Sequence, residues 1–226
     1  MRTATVHEPE IFTITDGRLG AEAVNLHVEQ FDVLRKDLRV VLGTKKGDVP
    51  TAMPAHILLR GSVEGKENSH VYIAVFDGYA IGYIDITGDR YLIQPVKMNT
   101  ESPSVMIVYK ENDIARQIPL AEKWNCGTEE YAPNFSMIAK ISAEIQKPYH
   151  LPQIQAQSKK VHLLNIAIDC DHEYFLVHGS DQTRAQNYTI AVLGAQSDIY
   201  TRDLNCGVRA GYLRVWTIDD PYPGDN

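Results

Sequence analysis

Two histidines six residues apart flank a glutamate in the run His172-Glu173-Tyr174-Phe175-Leu176-Val177-His178. A helical zinc-hydrolase site needs its histidines four apart on one face, with the glutamate as general base. A spacing of six puts the two rings roughly 240° apart around a helix, at about 100° per residue, so they could not share a metal. The run is expected to be a loop after a strand. Just before it, Asp169-Cys170-Asp171 follows an apolar run. A phosphohydrolase of the D-x-D kind uses the first aspartate to attack phosphorus and the second to handle the proton. Glu173 stands where such a site carries Thr or Val, and the stretch after Asp171 is too short for the rest of such a domain. Asp169, Asp171 and Glu173 also invite a calcium loop. An EF-hand needs glycine at its sixth position and glutamate at its twelfth, and Tyr174 and Ser180 stand there instead. Solvated carboxylates at a strand end are the plainer expectation, and Asp219-Asp220 reads the same way.

Three cysteines, Cys126, Cys170 and Cys206, leave at least one thiol unpaired within the chain. Cys170 and Cys206 fall at a strand end and a helix end, and read as small buried hydrophobes. A disulfide between them stays open at this point. Cys126 is followed by Gly127 in a polar stretch. The sequons at Asn134 and Asn187 read as chance occurrences.

The elements that would position these residues fall into three parts. Residues 24–109 read as β. Val24, Leu26 and Val28 alternate with polar residues, the period of a half-buried strand. Short apolar runs follow at Leu38 to Leu42 and Ile57 to Val63. Val71 to Phe76 and Tyr79 to Ile86 flank Asp77-Gly78, a hairpin signal because that turn needs φ > 0. Thr87-Gly88-Asp89 turns into Tyr91 to Val96, and Val105 to Tyr109 adds one more strand. The expected result is an antiparallel meander. Residues 110–160, broken by Pro119, Pro133, Pro148 and Pro152, read as a linker with a short helix over 136–146. Residues 161–226 read as strand, helix and strand. Val161 to Ile168 has the continuous apolar character of a strand buried on both faces. Ser180 is a candidate N-cap, and Tyr188, Val192, Ala195 and Ile199 form the expected apolar stripe. Asn205 or Gly207 ends the helix, and Val208 to Ile218 is the second strand. This order suggests a right-handed crossover between parallel strands. The fold class expected is α+β: a β-rich meander followed by an incomplete α/β subdomain, since one helix and two strands make a poor core alone.

The net charge of -7 and pI of about 5.6 argue against general affinity for nucleic acid or anionic membranes, which needs a basic face. No stretch approaches the roughly 20 apolar residues that span a bilayer. The first residues have no apolar h-region, so no secretory signal is expected there.

Two blocks resemble adamalysin/reprolysin-like zinc metallopeptidases, a branch of the metzincins. The first runs from Leu59-Arg60-Gly61-Ser62-Val63-Glu64-Gly65 through Gly78-Tyr79-Ala80-Ile81-Gly82 to Tyr91-Leu92-Ile93-Gln94-Pro95, and is similar to the family propeptide. The second comprises Ala167 to Phe175, Asp198-Ile199-Tyr200-Thr201-Arg202-Asp203-Leu204 and Tyr212-Leu213-Arg214-Val215-Trp216-Thr217. It resembles the opening strand, first long helix and second strand of the peptidase domain. The resemblance implies a propeptide over 1–110, a linker over 111–160, and over 161–226 the start of a peptidase domain that stops before its zinc motif.

It implies a secreted-type zinc endopeptidase precursor whose H-E-x-x-H-x-x-G-x-x-H motif is absent from this chain, so that the chain alone is inactive and binds no zinc. Cys126 would be a switch thiol, its thiolate filling the open fourth position on the zinc of the full-length protein, with Gly127 allowing close approach. A structural calcium is compatible with the family, without ligands assignable here. The implied partners are the chain's own or a related peptidase domain and, for the full-length enzyme, peptide substrates. Secretion, which the family implies, and the missing signal pull in opposite directions on compartment. The other readings are a free-standing propeptide-like inhibitor, a protein-binding β-domain with residues 57–96 as contact surface, and the D-x-D phosphohydrolase.

Overall fold

Alternating apolar residues pair into strands whose order the chain alone does not reveal. The computed structural model describes residues 11–96, 105–115 and 162–222. Cys126, Asn134 and the expected helix over 136–146 lie outside them. Residues 1–113 and 161–226 belong to one compact unit, and residues 114–160 to another. In chain order the strands are β1 (Ile11–Leu19), β2 (Glu22–Phe31), β3 (Leu34–Thr44), β4 (Gly47–Pro50), β5 (Ile57–Val63), β6 (Ser69–Phe76), β7 (Tyr79–Ile86), β8 (Asp89–Pro95), β9 (Met106–Lys110), β10 (His162–Cys170) and β11 (Cys206–Trp216). The helices are α1 (Glu111–Ala115), α2 (His172–Val177) and α3 (Gln182–Leu204).

One sheet is antiparallel, in the order β1-β2-β5-β6-β7-β8-β9. The two expected hairpin turns are present. Phe76 pairs with Tyr79 around Asp77-Gly78, and Ile86 pairs with Asp89 around Thr87-Gly88. Gly78 sits at φ 80°, a conformation that costs glycine nothing. The edge strands β1 and β9 touch, so the sheet curls toward closure. Its enclosed face carries Val24, Leu26, Val28, Val71, Ile73, Ile84 and Ile93. On β6 the alternate residues Tyr72, Ala74 and Phe76 belong to a second core on the opposite face. This strand is therefore buried on both sides, as its unbroken Val71–Phe76 run requires. Strand β1 was not expected, although the Ile11-Phe12-Thr13-Ile14 run has β-rich character.

The meander expectation needs one correction. After β2 the chain leaves the sheet, and β2 pairs directly with β5, Phe31 against Leu58. Strands β3 and β4 instead join a four-stranded mixed sheet, β10-β11-β3-β4. Strands β10 and β11 are parallel, β11 and β3 are parallel, and β3 and β4 are antiparallel. Val40 and Val41, adjacent and both buried, explain the detour, because successive strand residues face opposite sides and both sides need cover. The protein is thus an α+β, β-rich fold. Strands β3 and β11 share one sheet, and one hydrophobic cluster draws on residues from both before 110 and after 161.

Helix α3 packs against β11 on one side and against β6 on the other. Its N-cap is Asp181, whose carboxylate accepts from the Arg184 amide, whereas the expected cap Ser180 lies at φ 56°. Asn205 ends it in the left-handed conformation, one of the two expected stops. The expected stripe is displaced: Tyr188 and Val192 are exposed, and Ile190, Ala191, Leu193 and Gly194 are buried. Gln186, Asn187, Thr189, Ser197 and Asp198 are buried with them. A helix held between two sheets buries more than one stripe, and the partners on both sheets admit polar residues.

Gln186 is wholly buried, and among the described residues neither polar atom of its amide has a hydrogen-bond partner. A buried unsatisfied amide costs about 1–3 kcal/mol. Gln186→Leu, of similar volume, is expected to raise stability by about 1–2 kcal/mol. Urea denaturation reads the change as a higher midpoint at unchanged slope.

Candidate functional site

The residues with unusual burial and pairing line the seam where α3 meets the antiparallel sheet. Tyr72 reaches from β6 and donates to the Ala191 carbonyl at 2.7 Å. Burial, and then the nearby Asp198 carboxylate, push the Tyr72 phenol well above its ordinary range, so it stays a donor. Asn187 donates to the Tyr79 hydroxyl at 2.9 Å, and Gln182 to the Thr51 hydroxyl at 2.7 Å. Ser197 lies on the helix's other side and accepts the Val208 amide of β11 at 2.9 Å.

One pair in this seam is ionisable. His70 Nε2 lies 2.5 Å from Asp198 Oδ2, with side-chain exposures of 17% and 3%. A carboxylate this deeply buried is tolerable only with a partner. Around the pair a cavity of about 280 Å³ is lined by Glu29, Arg60, Gly61, Thr201 and Arg202. Arg60 pairs with Glu29 at 2.7 Å and Arg202 with Asp203 at 2.7 Å, so these cations are already matched. The hydrogen-bond partner of the His70 ring is Asp198, and no serine or cysteine is placed against it among the described residues. The arrangement suits holding two layers together and supplies no nucleophile beside a base.

A second set of contacts ties β11 to the β3–β4 hairpin. Arg214 donates to Asp48 at 2.7 Å and to Asp169 at 3.2 Å, and stacks on Tyr212 and Trp216. The Arg214 hydrogen bond holds the Asp48 carboxyl below its usual range. Asp169 also accepts from Tyr222 at 2.6 Å. Asp171 is the N-cap of α2, accepting the Tyr174 amide at 2.7 Å. The two aspartates of the D-x-D run are thus committed to an arginine and a helix cap. Asp219 faces His172 Nδ1 at 3.0 Å, and Asp220 accepts the His172 and Tyr222 amides.

The His172–His178 run is a short helix where a loop was expected, because Asp171 caps it. His172 stacks on Phe175, whereas His178 packs against Tyr174 and Tyr188. Burial lowers the His178 pKa. The two rings face different neighbours, as the spacing of six demanded. Among the described residues no group of three His, Cys, Asp or Glu side chains is placed to hold a metal ion. Cys126, the one metal-ligand candidate, lies outside the described residues. No described helix is long and apolar enough to cross a membrane.

The open question of a Cys170–Cys206 disulfide is settled by register. In the parallel β10–β11 pair His162 lies opposite Cys206 and Cys170 opposite Val215. The cysteines therefore stand at opposite ends of the ladder, roughly 25 Å apart at about 3.3 Å per residue. A disulfide requires Cα atoms within about 7 Å. Both are free thiols. Burial raises the Cys170 thiol pKa, and its sulfur meets Thr189 Oγ1 at 3.5 Å. Iodoacetamide at pH 8 is expected to leave Cys170 unmodified in the folded protein and to label it in denaturant, as peptide mass mapping would read. Asn187 is 4% exposed and engaged with Tyr79, so its sequon is closed to modification in the fold.

The feature the sequence reading missed is the outer edge of β10. This strand was expected to be buried on both faces, yet it stands at the end of its sheet with Leu163 51% and Leu164 50% exposed. Beside it an apolar groove of about 320 Å³ runs along Ile166, Ile168, Cys170, Tyr188, Val192 and Leu193. Among the described residues nothing pairs with this edge, and an open edge beside exposed apolar side chains is the kind of surface to which another strand can add. The exposed Tyr188–Val192 stripe of α3 forms its far wall. No family model matches the chain.

Proposed function

We propose that this chain is the latency-keeping front of a zinc metalloendopeptidase precursor of the adamalysin/reprolysin kind. Residues 1–110 act as the propeptide and residues 161–226 as the opening of the peptidase domain. The observation that carries this reading is the way the strand–helix–strand unit is held. Strand β3 runs parallel against β11, α3 is packed on β6, and among the described residues the outer edge of β10 is open and apolar. A propeptide that adds a strand to its own peptidase gains affinity from backbone pairing and specificity from buried side chains. In this reading the edge of β10 receives the next strand of the peptidase sheet, and the groove beside it is filled by that sheet's core.

The zinc chemistry belongs to the H-E-x-x-H-x-x-G-x-x-H motif of such a precursor, and no hydrolytic step is assigned to the residues of this chain. The role proposed for Cys126 is to hold the fourth zinc position as a thiolate and exclude the catalytic water. Purified chain supplied with zinc and a fluorogenic peptide is expected to show no chelator-sensitive cleavage. Such cleavage would contradict the assignment. The open apolar edge of β10 also favours a second reading, a β-domain that takes an extended strand from another protein.

A further inference from the structure

We propose that a cavity beside the last turns of α3 binds a small zwitterion, an α-amino acid with an apolar side chain. This site is independent of the propeptide reading.

The cavity has a volume of about 350 Å³ and opens where Phe31 and Asp32 mark the end of β2. Arg60 lines it from β5, Leu163 from β10 and Arg209 from β11. Arg60 is matched, because it faces Glu29 across the β2–β5 ladder and bonds it through Nε at 2.7 Å. Arg209 and Asp32 differ. Among the described residues Arg209 is half-buried and has neither a hydrogen bond nor an ion pair. The Asp32 carboxylate accepts the Leu34 amide through Oδ1 at 2.8 Å, and among the described residues no cation pairs with it. The cavity therefore holds a cation and a carboxylate that do not pair with each other. A half-buried charge without a partner loses hydration with nothing in return. A plain anion would satisfy Arg209 and be repelled by Asp32, and a plain cation would do the reverse. A ligand that carries both charges serves both groups.

The neutral lining fits the same ligand. The Ser197 hydroxyl accepts the Val208 amide at 2.9 Å, which leaves its own proton to donate toward a carboxylate. Thr201 Oγ1 donates to the Ser197 carbonyl at 2.7 Å, which leaves its lone pairs to accept from an ammonium. The walls are apolar at Phe31, which lies under the Arg60 guanidinium, and at Leu163, which is 51% exposed. Covering Leu163 favours an apolar side chain on the ligand. Gly207 keeps the space open, since a Cβ there would lie 3.1 Å from Leu163 Cδ2 and 3.4 Å from Thr201 Oγ1. Ligand cavities span about 300–1,000 Å³, so this one sits at the small end and suits a single amino acid. The neighbouring cavity around His70 lacks the pattern, because both of its arginines are matched.

The test is an amide-detected NMR titration of the intact chain with L-leucine, 4-methylpentanoate and 3-methylbutylamine at millimolar concentrations. The two analogues keep the branched side chain and lack the amino group or the carboxylate in turn. Leucine is expected to shift the Asp32, Gly207 and Arg209 amides saturably. It should bind about tenfold or more tightly than either analogue, the worth of one charge-assisted hydrogen bond. Arg209→Gln and Asp32→Asn should each weaken leucine binding by a similar factor. Asp32→Asn keeps the acceptor for the Leu34 amide, so its fold should be unchanged. No saturable shift with leucine, or an analogue that binds as tightly as leucine, would overturn the proposal. Undiminished affinity in both variants would overturn it as well. The comparison of the three ligands uses the wild-type chain alone, so it decides the proposal whether or not a variant folds.

Discussion

Gly194→Val is expected to destabilise the protein by about 3–5 kcal/mol, through overpacking and the loss of a buried hydrogen bond. Any Cβ at this position overlaps the Tyr72 hydroxyl and lies 3.1 Å from Leu58 Cδ1. Neither neighbour can yield easily. Tyr72 is 2% exposed and bonded to the Ala191 carbonyl, and Leu58 is 1% exposed. At an exposed helical position, glycine to alanine would instead add about 1 kcal/mol of stability. Loss in Gly194→Ala would therefore report close packing of α3 on β6. The clash involves the hydroxyl first, and the nearest remaining ring atom is Tyr72 Cζ at 3.1 Å. Gly194→Ala combined with Tyr72→Phe should accordingly be more stable than the two separate losses predict, by about 1 kcal/mol. Urea denaturation of the four proteins in that cycle measures it.

The second large effect is expected at the buried hydrogen bond between His70 and Asp198. His70→Ala leaves the Asp198 carboxylate at 3% exposure without its partner, which costs about 3–5 kcal/mol. Asp198→Asn keeps a hydrogen-bonding group of the same shape and should cost less, about 1–2 kcal/mol. His70→Leu with Asp198→Leu removes both polar groups and should recover much of the loss, as replacement of buried pairs by apolar residues often does. Equal losses for His70→Ala and Asp198→Asn would mean that the pair is not a buried unit. Both variants act on the contact between β6 and α3.

What was legible in the sequence was local. Asp77-Gly78 announces its hairpin because few dipeptides supply the needed backbone conformation, and the partner strands lie on either side of it. The strand–helix–strand order was legible from apolar runs and from Asn205 as a stop. What escaped was set by pairing over long separations. Nothing near Val40 and Val41 indicates that they face β11, which lies beyond the whole meander. The stripe Tyr188–Val192–Ala195–Ile199 has helical period, but the same helix has other faces, and nothing in that pattern marks Asp198 and Asn187 as buried. Their burial follows from His70 and Tyr79 on a sheet more than a hundred positions earlier. The exposure of Leu163 and Leu164 was hidden for the opposite reason, since an apolar strand reads as buried whether or not a neighbour covers it. Of the candidate site residues, Cys126 was legible only through resemblance. The seam was not legible at all, because its chemistry comes from joining two distant blocks.

The central claim is that the N-terminal sheet is a propeptide, and inhibition tests it most directly. Excess purified chain, wild type or Cys126→Ala, is added to an active adamalysin-like endopeptidase, and the initial rate of fluorogenic-peptide hydrolysis is followed. The account predicts that the wild-type chain slows hydrolysis in proportion to its concentration and that Cys126→Ala loses most of the effect. Equal inhibition by both would remove Cys126 from the mechanism. Unchanged hydrolysis at every concentration of the wild-type chain would contradict the propeptide reading and leave a protein-binding β-domain in its place.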